Sequence, residues 1–203
     1  VSEKVREDLK AYDADKNVER IAGADRYGTS EMVAKRVVGI TGKKNTGVVA
    51  SGQVFPDALS VGTFASREGY PILLVKKDSV PSQIQNAIKD LDINKTYIAG
   101  GNNTISKSTE AKLPNVVERM AGPTRYDTSV AIAKSKFGTS KEAYIASGEE
   151  FADALVISPI SGKYNRPTLL VSRNIDSNGM IKRHVKDSGY KSIIAIGGYK
   201  YLP

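Results

Sequence analysis

Apolar positions along this chain follow two alternating patterns: short apolar-rich runs bounded by glycine or proline, and longer stretches in which an apolar residue returns every third or fourth position. The runs Val18–Ala22, Gly47–Ala50, Pro71–Val75 and Lys95–Ala99 read as strands, and Pro71–Val75 has no polar member, as expected of a strand buried on both faces. Between them, Ser2–Ala11 carries Val5 and Leu9 one helical turn apart. The stretch after Ser30 offers Met32, Val33 and Val37 as an apolar face, and Pro81–Leu91 places Ile84, Ala87, Ile88 and Leu91 on one side of a helix. Local punctuation agrees. Thr29 or Ser30 suits an N-cap with Glu31 in the first turn, Pro56 suits a first helical position, and Gly69 suits a C-cap. The second half repeats the scheme, with strands near Val116–Ala121, Ala143–Ala146, Thr168–Val171 and Ser192–Ile196 and a joining helix near Ser106–Leu113. Such alternation predicts an α/β fold, with parallel sheets of about four strands covered by helices on both faces.

The pattern repeats because the sequence does. VERIAGADRYGTS at Val18–Ser30 returns 99 residues later as VERMAGPTRYDTS at Val117–Ser129. ASGQVFPDAL at Ala50–Leu59 answers to ASGEEFADAL at Ala146–Leu155, PILLV at Pro71–Val75 to PTLLV at Pro167–Val171, and Gly100–Gly101 to Gly197–Gly198. A period this long marks a duplicated domain, since short solenoid units run about 20–50 residues. The two units are residues 1–104 and 105–203. Val1–Ser2 followed by EKVREDL matches Ile105–Ser106 followed by KSTEAKL, which comes straight after the Gly100–Gly101 turn; the final GGYKYLP puts Leu202 and Pro203 at the matching point. The expectation is two permuted units from a longer array.

Composition narrows the chemistry. The chain has no cysteine, which removes disulfides, thiol nucleophiles and cysteine-held zinc together, and no run of 18 apolar residues. The formal charge is +8, unevenly shared: the first unit has 15 Lys+Arg against 13 Asp+Glu, the second 15 against 9. A basic excess concentrated in one unit fits an anionic partner, and it fits a solvated basic surface equally well.

In open parallel sheets ligands collect at the carboxyl ends of the strands. Those ends lead to Arg26, Ser51, Lys76, Lys77 and Gly100–Gly101 in the first unit, and to Arg125, Ser147, Ser172, Arg173 and Gly197–Gly198 in the second. Glycine amides at helix starts beside a cation make an anion site without catalysis. Arg26 and Arg125 recur together with Asp57 and Asp153, and two roles fit them: a bidentate grip on phosphate or carboxylate, or ion pairs Arg26–Asp57 and Arg125–Asp153 that lock one turn to the next helix. Ser51 and Ser147 stand where a nucleophile could, but the one histidine, His184, has no counterpart in the first unit, so no duplicated Ser–His–Asp site can be built. Asp13–Asp15 reads as a solvated turn rather than a metal pair. There is no GxSxG elbow, GxGxxG, Walker A or HExxH sequence.

Taken in order and twice, ERIAGADRYGTS, ASGQVFPDAL, PILL and the GlyGly-x-x-x-Ile-Ser turn resemble the cell wall binding repeat 2 modules of Gram-positive surface and S-layer-associated proteins. That resemblance covers essentially the whole chain. It implies tandem Toprim-like (Rossmann-like) modules that occur in threes and pack as a trimer, secreted to the cell surface. It also implies noncatalytic anchoring to an anionic wall polymer of teichoic-acid type; the residues themselves give no cofactor or metal motif, no basic–aromatic platform for nucleic acid and no membrane span. Lys76, Lys77, Arg125 and Arg173 then become the leading polymer contacts, with Arg26, Ser51 and Ser147 on the same rim. The rival reading is an α/β enzyme acting on a phosphate-bearing substrate, either Toprim-like and metal-dependent or a Ser/Lys hydrolase. The glutamate and paired aspartates of the metal-dependent kind do not occur twice, at matching strand ends of the two units. Two departures stand out: Thr168 puts a hydroxyl in a strand that should be buried and so requires a hydrogen-bond partner, and Thr124 replaces Asp25.

Overall fold

A computed structural model describes residues 2–202. Val1 and Pro203, which frame the comparison of the repeat ends, lie outside the described residues. In chain order the elements are α1 (Glu3–Leu9), α2 (Arg26–Thr41), β1 (Thr46–Ser51), α3 (Pro56–Glu68), β2 (Ile72–Val75), α4 (Ser82–Asp90), β3 (Lys95–Ala99) and α5 (Lys107–Glu110). They continue with β4 (Val116–Met120), α6 (Arg125–Lys136), β5 (Glu142–Ser147), α7 (Ala152–Lys163), β6 (Thr168–Val171), α8 (Gly179–Ser188) and β7 (Ser192–Ile196). All ladders are parallel, as the strand–helix alternation predicts.

The strands form two sheets, ordered β2-β1-β3-β4 and β6-β5-β7. Strand β4 belongs to the second repeat by sequence, yet it closes the first sheet, with Tyr97 opposite Glu118 and Ala99 opposite Met120. Its counterpart Val18–Ala22 forms no strand. The reason is physical: a strand exists only where its amides are paired, and β4 finds its partner in the preceding unit's third strand, an edge not available to residues 18–22 in this chain. For the same reason the second sheet has three strands rather than about four.

Successive β1 side chains point to opposite faces, and each face has its own core. Val49 packs with Leu73 and Val75, with Ala34 and Val38 of α2, and with Ile84, Ala87 and Leu91 of α4. Val48 and Ala50 pack with Val61, Phe64 and Ala65 of α3, and this cluster also holds Met120, Ile132 and Phe137 of the second repeat. The two repeats therefore share a core.

Helix α2 begins earlier than the sequence pattern suggests, because the Asp25 carboxylate accepts from the amides of Tyr27 and Gly28 and caps it there. Its buried stripe is Tyr27, Ser30, Ala34 and Val38, while Met32 and Val33 face outward. Small residues on that stripe let the helix lie against β2, where the Ser30 hydroxyl accepts from the Leu74 amide and donates to the Ile72 carbonyl. Ser129 accepts from the Leu170 amide in the same way in the second unit. At α1, Val5 and Leu9 stay exposed, so that helix contributes little to either core.

Thr168 finds the partner its burial requires, since its hydroxyl lies 2.8 Å from that of Ser161. Thr168→Val should therefore cost about 1–3 kcal/mol by leaving the Ser161 hydroxyl unsatisfied, and Ser161→Ala in the same chain should recover most of the loss. Urea unfolding of the two variants checks this; equal stability of both would show that the pair contributes nothing.

The repeats meet where α3 packs on α7 and α6. Gly162 makes the close approach possible, as a Cβ there would lie 2.7 Å from the Arg67 amide nitrogen. Arg67 then spans the junction: it donates to the Lys136 carbonyl at 2.5 Å and to Asn165 at 2.8 Å, with its guanidinium 4.6 Å from the Phe137 ring centre. No described helix is long and apolar enough to cross a membrane.

Candidate functional site

Two depressions, each of about 470 Å³, lie over the carboxyl ends of the first sheet and share Val54, Asn103 and Thr104, which makes them one groove. At one end it is bordered by Ser51, Gln53, Lys76 and Lys77. At the other it reaches Gly122, Thr124 and Arg125 of the second repeat, passing Asp57 and Asn102. The groove thus crosses the junction between repeats.

Backbone contacts fix the loops that carry these groups. The Lys77 amide donates to the Gln53 side chain at 2.7 Å, and the Lys77 carbonyl accepts from the Ser106 amide and the Thr109 hydroxyl. Lys76 and Lys77 are exposed, and Lys76 sits 5.6 Å from the Tyr27 ring centre. Neither lysine has a carboxylate within ion-pair distance among the described residues. Arg125 is exposed at the start of α6 and uses one N–H on the Gly148 carbonyl at 2.6 Å. Its guanidinium lies 5.9 Å from the Phe55 ring centre, and the start of α6, capped by Thr124 and Asp127, stands at the groove's end.

The expected ion pairs do not form. Arg26 donates to the Gly52 carbonyl at 2.5 Å, as Arg125 does to Gly148, so each arginine holds the turn of its own unit through a backbone carbonyl. Asp57 is buried and faces the other way, toward the junction, where the charge that acts on it is Arg125 of the next repeat. Burial pushes its carboxyl above the usual aspartate range. The Thr104 hydroxyl, the Arg125 charge and the Thr128 hydroxyl pull it back down, in that order of size.

Arg173 differs from the groove lysines. Its guanidinium pairs with Glu149 at 2.8 Å, its amide donates to the same carboxylate, and it lies beside the Tyr201 ring. The bonds from Arg173 and Ser172 hold the Glu149 carboxyl below its ordinary range. Much of the Arg173 charge is already neutralised.

Ser51 and Ser147 are buried turn-formers. Ser51 Oγ accepts from the Gln53 and Val54 amides at 3.1 and 3.3 Å, and Ser147 Oγ accepts from Glu149 and Glu150 at 3.2 and 3.3 Å. These bonds shape the two corresponding loops, and neither hydroxyl contacts a side-chain base among the described residues. His184 is buried in the second unit against Ser188 and Tyr190, with burial and then Lys134 holding its pKa below the ordinary value. Asp13 closes a local turn by accepting from the Asn17 amide. No group of three or more His, Asp or Glu side chains among the described residues is placed to hold a metal ion.

A family model for cell wall binding domain 2 (CWB2) matches residues 20–110 and 119–203, one segment on each repeat. The chain belongs to the CWB2 family. Among its relatives, the amidase enhancer of Bacillus subtilis (strain 168) is 33% identical over 177 residues, 86% of this chain. The N-acetylmuramoyl-L-alanine amidase LytC of the same organism is 31% identical over 166 residues, 82% of this chain. The CWB2 chain spans only 23% and 32% of those two proteins' lengths. Among solved structures, Cwp8 from Clostridium difficile superposes with a TM-score of 0.74 at 30% identity over 99% of this chain and 35% of its own. Cwp6 from the same organism gives 0.75 at 24% identity over 91% of this chain and 30% of its own, a likeness of fold. The family's description is that of a cell wall binding domain.

Several groove residues were not signalled by the sequence. Gln53, Asn102, Asn103 and Thr104 occur in one copy only, so the repeat comparison passes over them. Arg67 is missed for the same reason, because Lys163 occupies its place in α7.

Proposed function

We propose that the chain is a noncatalytic anchor that holds a secreted protein to a Gram-positive cell wall by binding an anionic, teichoic-acid-like polymer. The observation that carries this reading is the groove over the strand ends, with Lys76 and Lys77, exposed and in no ion pair among the described residues, beside Asp78 at one end and Arg125 at the other. Arg26 starts α2 and bonds the Gly52 carbonyl just past β1, while Ser51 and Ser147 shape the loops that follow β1 and β5. A polymer with regularly spaced phosphates engages such cations together, so modest contacts add to firm retention. Changing Lys76, Lys77 and Arg125 to Ala together should weaken wall binding about tenfold at low salt. Arg173→Ala should change it little, because Glu149 already balances that charge. Pull-down on purified wall decides; an Arg173 effect as large as the triple change would move the site to the second sheet.

The same reading includes a third unit of this type packed against the two. Its support is the contrast between matching positions: Leu59 is 6% exposed and Leu155 55%, Phe64 3% and Ile160 45%. The first member of each pair is covered by the second repeat; the other member faces solvent. Strand β7 likewise leaves an open edge with Ile193 and Ile194 exposed, where β3 carries β4. In a longer parent protein the β7 amides should exchange with deuterium at least tenfold more slowly than in this chain. Equal exchange in both would remove the third unit from the account.

A further inference from the structure

The cavity at the junction holds a group that a purely cationic site would not want. Asp57 is only 5% exposed, yet it borders the same cavity as Arg125, the side chain meant to grip an anion. A buried carboxylate there opposes the binding of charge, so its presence calls for a ligand with something to donate. Its own donors are few. The Thr104 hydroxyl is 3.3 Å from Asp57 Oδ2 but 3.0 Å from the Gly101 carbonyl, and with one proton it cannot serve both. Thr128 of the next repeat supplies another hydroxyl. Two carboxylate oxygens offer about four acceptor sites, so acceptor capacity is left over at the cavity wall.

The placement is built into the backbone, and it is built twice. A Cβ on Gly100 would lie 2.4 Å from Asp57 Oδ2, and one on Gly197 would lie 2.6 Å from Asp153 Oδ2. In both units the first glycine of the GlyGly turn is what admits the carboxylate. Only in the first does a following repeat complete the cavity, with Gly122, Arg125 and Thr128.

We propose that the cavity between consecutive repeats reads hydroxyl groups as well as charge, Asp57 accepting hydrogen bonds from a polyol or sugar hydroxyl while Arg125 holds the adjoining phosphate. This rests on the polymer-binding reading above and names the part of the polymer that gives specificity. Wild-type protein and Asp57→Asn are titrated with poly(glycerol phosphate) and with inorganic polyphosphate of matched charge, at one salt concentration, with thermal unfolding of both proteins recorded. The wild type should bind the polyol polymer about tenfold more tightly than polyphosphate, the worth of one or two hydrogen bonds to a charged acceptor. Asp57→Asn should lose most of that preference while holding polyphosphate as well as before or slightly better. A wild type that binds both polymers equally would overturn the inference and leave the polymer reading standing. A wild type that binds neither would overturn both. An equal loss for both polymers in Asp57→Asn would make Asp57 a support for the GlyGly turn and not a reader of hydroxyls. The wild-type preference stands as a test even if the variant does not fold.

Discussion

Phe137→Ala should lower the stability of the whole chain by about 3–5 kcal/mol, the range for emptying a fully buried aromatic site. Phe137 is 1% exposed and sits in the cluster that joins Val61, Phe64 and Ala65 of α3 to Met120 and Ile132 of the second repeat. Arg67 lies over its ring while bonding across the junction, so the cavity would also loosen that clamp. Because this core belongs to both repeats, wild type and variant should each unfold in one transition. Urea denaturation followed by fluorescence and circular dichroism measures both points. A loss below about 1 kcal/mol, or two separated transitions in the wild type, would mean that the repeats are independent domains and that the shared strand and core are incidental.

The second large effect is expected at the GlyGly turn, and at only one of its glycines. Gly100 has φ +111°, and a Cβ there would fall 2.4 Å from Asp57 Oδ2 and 2.6 Å from Thr104 Oγ1. Gly100→Ala combines backbone strain with overpacking and should cost about 2–3 kcal/mol, while shifting Asp57 and so weakening polymer binding as well. Gly101→Ala meets nothing closer than a carbonyl oxygen at 4.0 Å and should stay within about 0.5 kcal/mol of wild type. Thermal unfolding of the two variants separates the positions. Comparable losses would show that the turn needs both glycines for flexibility, and that the carboxylate contact is not the reason for the first.

The sequence carried the local structure well, because strands and caps are set by short-range signals. Apolar runs with breakers on either side fixed β1, β2, β3, β6 and β7 within a residue or so, and Pro56 and Gly69 stand at the ends of α3 where they were expected. What it did not carry is which unit a strand joins. Val18–Ala22 and Val117–Ala121 differ at one residue, yet only the second, most of which lies in β4, has a sheet edge to pair with. The face of α2 was misread for a related reason. Met32 and Val33 form an apolar stripe, but on α6 the residue matching Val33 is Ile132, which is buried in the junction; the stripe belongs to packing between units and not to the unit's own core. In the groove, the strand-end rule found Lys76, Lys77 and Arg125. The recurrence of Arg26 with Asp57 suggested an ion pair that does not form, since a periodic sequence gives no sign that a side chain faces the next copy.

Sedimentation of this chain with purified cell wall, intact and stripped of its anionic polymer, tests the central claim most directly. The account predicts retention on intact wall that falls as salt rises, since exposed charges are screened within about 10 Å at 0.1 M, and little retention on stripped wall at any salt. Equal retention on both, indifferent to salt, would contradict it and place recognition on the peptidoglycan itself.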